Sequence, residues 1–118
     1  MKKPEEFVSA LFEIEVMAHI AHFQTTSFSQ HMALNELYSA MPELRDSFVE
    51  AYQGLQGIIR GYKDIPVKEG TNMVEYITKK CAEIEEFRST ITEGYLQQEI
   101  DNVQKQLYSS LYKLKVLK

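Results

Sequence analysis

The chain has no tryptophan, a single cysteine, three prolines and five glycines among 118 residues. One cysteine, Cys81, excludes an internal disulfide; that leaves the redox compartment unconstrained, with a cytoplasmic location the simpler expectation. So little glycine and proline leans the composition towards helix, and no run of apolar residues approaches the length of a membrane span. Lys2 and Lys3 make a basic start, but Glu5, Glu6, Glu13 and Glu15 break up any signal-peptide core. An excess of positive charge is also missing. A net charge of −4 argues against broad nucleic-acid binding, which needs a surface that neutralises phosphates. Lys113, Lys115 and Lys118 are the small exception, and they complement the dipole of a C-terminal helix. No Glu-x-x-His pair occurs, so a di-iron site of the kind built inside one bundle is excluded. No serine or cysteine is placed to serve as the nucleophile of a hydrolase triad.

What is present is ordinary for a globular domain: 44% apolar and 25% charged residues. The length suits one domain over 1–118 with a real core. Pro4 followed by Glu5 and Glu6 opens a first helix over 4–24. Its apolar stripe is Phe7, Leu11, Ile14, Ala18 and Ala21. Val8, Phe12, His19 and Phe23 lie beside it, and Met17 and Ile20 add a third row. A helix this apolar all round is buried on more than one side, inside a bundle or against another subunit. Ser27 and Gln30 read as a capping box for a second helix over 28–60. Its core stripe runs Leu34, Leu37, Met41, Leu44, Phe48, Ala51, Leu55, Ile58 and Tyr62. Pro42 should kink this helix without ending it, because the stripe stays in phase across it.

Residues 63–70 form the clearest loop, long enough to cross over a bundle. Asn72 with Glu75 caps a third helix over 72–91, with Met73, Ile77, Cys81, Ile84, Phe87 and Ile91 as its inner face. Gly94 separates it from a fourth over 95–117, carrying Leu96, Ile100, Val103, Leu107, Leu111, Leu114 and Leu117. The fold class is all-α, a four-helix bundle.

Chemistry concentrates between His22 and Glu50. All three histidines, His19, His22 and His31, fall in one helix–loop–helix stretch. His31, Asn35, Asp46 and Glu50 follow at steps of four, eleven and four. At about 100° per residue those four side chains span roughly 100° of arc and point roughly 160° away from the helix's own core stripe. A stripe of nitrogen and oxygen donors is what iron takes as ligands, and it is also what an idle solvent face looks like. Turned outward, it needs the rest of its ligands from another subunit or a neighbouring loop. His19, among Ala18, Ile20 and Ala21, reads as a hydrogen-bonded interior histidine, and Cys81 as a small hydrophobe.

The order His22-Phe23, a short loop, His31-x3-Asn35, ten residues, then Asp46-x3-Glu50 resembles the signature of the Dps-like mini-ferritins. In that family a His-Trp pair ends the first helix, and the second carries His-x3-Asp and Asp-x3-Glu. The resemblance implies a ferritin-like four-helix bundle with a crossover between helices 2 and 3. It implies a ferroxidase centre for iron shared between subunits, with His22 and His31 from one and Asp46 and Glu50 from the other. Asn35 would be a weak ligand. The partner is then a second copy, in a dimer or a mini-ferritin-like dodecamer. Phe23 in place of the tryptophan, Asn35 in place of an aspartate, the shorter loop and Pro42 depart from the pattern. They favour the other reading, a ferritin-like bundle without metal that serves as a structural or interaction module, for instance in a viral assembly. Under either reading, nucleic acid is not a partner. With only Lys2 and Lys3 ahead of Pro4, plasmid DNA should migrate unshifted in a gel at physiological salt and submicromolar protein.

Overall fold

The computed structural model describes residues 1–118 and contains four helices: α1 Pro4–Gln24, α2 Phe28–Gln56, α3 Met73–Arg88 and α4 Gly94–Val116. There are no strands. Three of the four helix N-termini are held by side chains that their sequence supplies. The Glu6 carboxylate accepts the backbone N–H groups of Lys2 and Lys3 at 3.3 and 3.2 Å, which hold it below the usual carboxylate range. The Ser27 hydroxyl accepts from Gln30 N, and the Asn72 side chain accepts from Glu75 N. The Ser27 box is only half closed, because the Gln30 side chain takes the Thr25 hydroxyl instead of reaching back.

Pro42 lies inside α2, which continues on both sides of it. The second helix stops at Gln56, earlier than 60, because Gly57 adopts φ 94°, a left-handed conformation that glycine takes without a Cβ penalty. The end of the expected stripe is therefore wrong. Ile58 and Tyr62, beyond the helix end, are exposed, as is Leu55 on its last turn, and Ile59 enters the core. The third helix likewise ends at Arg88 rather than 91. Gln97 from α4 donates to the carbonyls of Arg88 and Ile91 and so satisfies the chain as it leaves the helix.

α1 packs on α2 and α3, and α4 packs on the same two, so α1 faces α4 and α2 faces α3 across the diagonals. At one end of the bundle the Met1 ammonium meets Glu86 at 2.6 Å. At the other, Gln24 donates to Glu69, Ser29 to the Leu117 carbonyl, and Lys113 pairs with Glu36. Residues 57–72 lie along α1: Lys63 N donates to the Ser9 hydroxyl at 2.9 Å and the Tyr62 ring meets Phe12 edge-on. This segment covers part of the extra apolar surface of α1.

The core takes the expected inner faces of α3 completely and of α4 up to Leu114, while Leu117 is exposed. Three aromatic rings join it near the end where Met1 sits. Phe7 stacks on Phe87 with centroids 4.5 Å apart and meets Phe48 edge-on at 4.8 Å, and Phe48 reaches Phe87 across the diagonal at 5.9 Å. All three are fully buried. Phe48→Ala empties that junction of three helices and should cost about 3–5 kcal/mol. Urea denaturation followed by circular dichroism checks it.

Candidate functional site

Where α1 ends and α2 begins, six aromatic rings gather into one cluster. His19 stacks on Tyr38 with centroids 3.8 Å apart and planes 6° from parallel, and Phe23 stacks on the other side of it at 4.9 Å. His22 stacks on His31 at 3.8 Å, with Phe28 beyond His31 at 6.5 Å. The three-residue connection Thr25–Ser27 brings this about, because it folds the last turn of α1 against the first turn of α2. His19 is half-buried and held by stacking, so the reading of it as a hydrogen-bonded interior residue is replaced by a ring in an aromatic stack.

The protonation of His31 follows from its contact. Its Nδ1 lies 3.0 Å from the backbone carbonyl of His22, which can only accept, so Nδ1 carries the proton. In the neutral ring the lone pair is then on Nε2. A histidine that donates one nitrogen to a backbone carbonyl and offers the other is arranged as metal-binding imidazoles usually are. His22 is 8% exposed, and its Nδ1 is buried with no hydrogen-bond partner. Burial, then the neighbouring imidazoles of His31 and His19, push its pKa below the usual histidine range.

The remaining residues of the stripe lie apart. Asn35 is one turn along α2 from His31 and accepts the Tyr38 hydroxyl at 2.6 Å, so its amide oxygen is already engaged. Asp46 and Glu50 are exposed, beginning about 22 Å further along α2 at 1.5 Å per residue. Glu50 has no ion-pair partner, and Asp46 has only Arg45, at 3.4 Å. The histidines and the acids therefore do not meet within one chain, and no group of three or more His, Cys, Asp or Glu residues is placed to hold a metal ion. Imidazole nitrogens and carboxylate oxygens are donor types that a dication takes, but the fold of one chain does not bring them together, and His22 Nδ1 is closed off from the surface.

Sequence reasoning missed Arg45 and Glu15. Arg45 is 9% exposed, bonds Glu15 on α1 at 2.5 Å and lies over the Phe12 ring at 4.0 Å. The available signal was position: Arg45 falls on the edge of the core stripe of α2, where a lone cation needs a partner.

The fold and this cluster together define a four-helix bundle whose chemistry-bearing residues sit on the outer flank of its first two helices. The chain belongs to a family of unknown function (DUF5856), whose model matches residues 22–114. It is similar to an uncharacterized 14.6 kDa protein in the mobD-ri intergenic region of Enterobacteria phage T4, 36% identical over 55 residues. That match spans 47% of this chain and 43% of the relative. No solved structure matches.

His22 makes stability depend on pH with a definite sign. Its folded pKa lies below the unfolded value of about 6.5, so the unfolded chain binds more protons in that interval. The contribution is complete above about pH 6.5 and is lost as pH falls towards the folded pKa. Glu6, Glu85 and Glu86, all held below the usual carboxylate range, lose theirs only at lower pH. The melting temperature should hold level from about pH 8 to 7 and decline from about 6.5 to 5, and His22→Gln should flatten that decline. Differential scanning calorimetry across this range checks it.

Proposed function

We propose that this chain is a ferritin-like bundle, similar to the Dps-like mini-ferritins, which binds iron(II) between two copies and oxidises it. The crossover between α2 and α3 is supported by the contacts of residues 57–72 along α1. Those contacts carry the chain from the Met1 end back to the Gln24 end. On that path α2 and α3 run in the same direction and every adjacent pair of helices is antiparallel.

The observation that carries the functional reading is the His31 hydrogen bond. It turns Nε2, with its lone pair, into the available nitrogen at the surface where a partner would dock. The spacing supplies the rest. A twofold axis crossing α2 near Ser39, midway between His31 and the Asp46/Glu50 pair, sets the imidazoles of one copy against the carboxylates of the other. Ser39 is exposed and falls on the same stripe, and its small side chain permits close approach. Phe28 and Met32, on that stripe and exposed, give the pairing an apolar component, with Phe23 beside them on α1.

In this arrangement iron(II) is the substrate and dioxygen or peroxide the oxidant. His22 and His31 supply nitrogens, Asp46 supplies a carboxylate, and Glu50 has the reach to bridge two ions. Asn35 offers a neutral oxygen it already shares with Tyr38, so one of the two positions is weak. The assembly is a dimer at least, and a mini-ferritin-like dodecamer if further contacts close a shell.

A second reading has its own support. One chain has no metal-holding group, and the relative comes from a phage. Under it, the exposed Phe23, Phe28 and Met32 make the same flank a docking face of a non-catalytic module in a viral assembly. Anaerobic iron(II) titration followed by oxygen separates the two. Glu50→Gln should abolish binding and oxidation without loss of helicity, since Glu50 is exposed, and Asn35→Asp should strengthen both. Wild type and Glu50→Gln behaving alike would leave the module reading standing.

A further inference from the structure

The two ends of the bundle are filled differently. At the Met1 end Phe7, Phe48 and Phe87 close the space between the helices. At the Gln24 end the rings of His19, Phe23 and Tyr38 gather on the outer flank of α1 and α2. A cavity of about 540 Å³ is left there among all four helices and the loop before α3. Each helix gives it one buried apolar wall: Met17, Leu34, Met73 and Leu114. That volume lies in the range of small-molecule sites. Two of the four walls are methionines, whose unbranched side chains re-pack around a guest.

An adjoining cleft of about 340 Å³ shares Met17, Lys68 and Glu75 with this cavity and is lined further by Tyr76, Lys79 and Lys80. The Tyr76 hydroxyl is buried with no hydrogen-bond partner. Glu13, an acid whose charge bears on it, is engaged by Lys80 at 3.5 Å. Lys68 and Lys79 are exposed and pair with no acid, and Glu75 is the one lining acid without a partner. The uncommitted charge around the cleft is therefore positive, beside an idle O–H donor. We infer that cavity and cleft together bind an aliphatic carboxylate. Its chain lies among Met17, Leu34, Met73 and Leu114, and its head in the cleft lined by Lys68, Lys79 and Tyr76. A carboxylate accepts from ammonium and hydroxyl donors alike, whereas an amine would be repelled by two lysines and an alcohol would leave their charge unanswered. The site is independent of the iron reading, none of whose residues it uses.

The test titrates the full chain, labelled at its methionine methyl groups, with octanoate, 1-octanol and octylamine. Octanoate should bind tightest of the three. It should shift the Met17 and Met73 signals to saturation and leave the exposed Met32 unmoved. Lys68→Gln together with Lys79→Gln should weaken octanoate about fivefold, the size expected of exposed charge pairs, and leave 1-octanol as it was. Tyr76→Phe, which keeps the ring, should weaken octanoate about threefold, the size of one hydrogen bond. Glu75→Gln should tighten it about twofold by removing the opposing acid. Circular dichroism melts confirm that the variants fold. If no methionine responds, or Met32 moves along with Met17 and Met73, the cavity takes no specific guest and the site is refuted. If 1-octanol or octylamine binds as tightly as octanoate, or the lysine and tyrosine variants bind octanoate as wild type does, the carboxylate is refuted.

Discussion

The contact of Phe7, Phe48 and Phe87 is the constraint on which the rest of the bundle depends. One ring comes from each of α1, α2 and α3, and Phe48 and Phe87 meet across a diagonal where the helix backbones do not approach. Offset and edge-on aromatic pairs have preferred geometry beyond their buried area, so the triad fixes rotation as well as proximity. With α2 held in this rotation, its Leu34–Phe48 stripe faces inward, and the opposite stripe, from Phe28 to Glu50, has to face out. The outward direction of the candidate ligands is therefore a consequence of the core.

The other end of the α1–α2 joint is built from polar aromatics. His19, His22, His31 and Tyr38 stack in place of aliphatic side chains, and one imidazole nitrogen is buried without a partner. An unsatisfied buried polar group is costly, and the Tyr76 hydroxyl and the Gln104 carbonyl oxygen carry the same cost elsewhere in the bundle. Arg45 repeats the pattern further along the same pair of helices, as a buried charge where a hydrophobe of similar size would pack as well. Both features lie on the flank whose exposed residues include Phe23, at 71%, and Phe28, at 77%.

Two departures between sequence pattern and structure have the same origin. Ile58 and Tyr62 continue the period of α2 on paper, yet the helix unwinds at Gly57, whose missing Cβ makes the left-handed turn cheap. Periodicity reports which face a residue would take if the helix continued and says nothing about whether it does. The apolar excess of α1 posed a choice between burial inside the bundle and burial against another subunit. Residues 57–72 lying along the helix account for part of it, and the exposed Phe23 for the part left over.

The sequence by itself determined the four helices, their caps at Ser27 and Asn72, the inner faces of α3 and most of α4, and the outward register of His31, Asn35, Asp46 and Glu50. All of these follow from local chemistry and from the 3.6-residue period, which act within a few turns of one helix. Only the tertiary structure decided which nitrogen of His31 is protonated, that Tyr38 occupies the Asn35 oxygen, and that Arg45 is locked between Glu15, Phe12 and Asp46. Each of those is a contact between a side chain and a group whose position the rest of the fold sets. Only the folded chain, likewise, separates the imidazoles from the carboxylates along α2, since residues that share a face need not share a site when four turns of rigid helix lie between them.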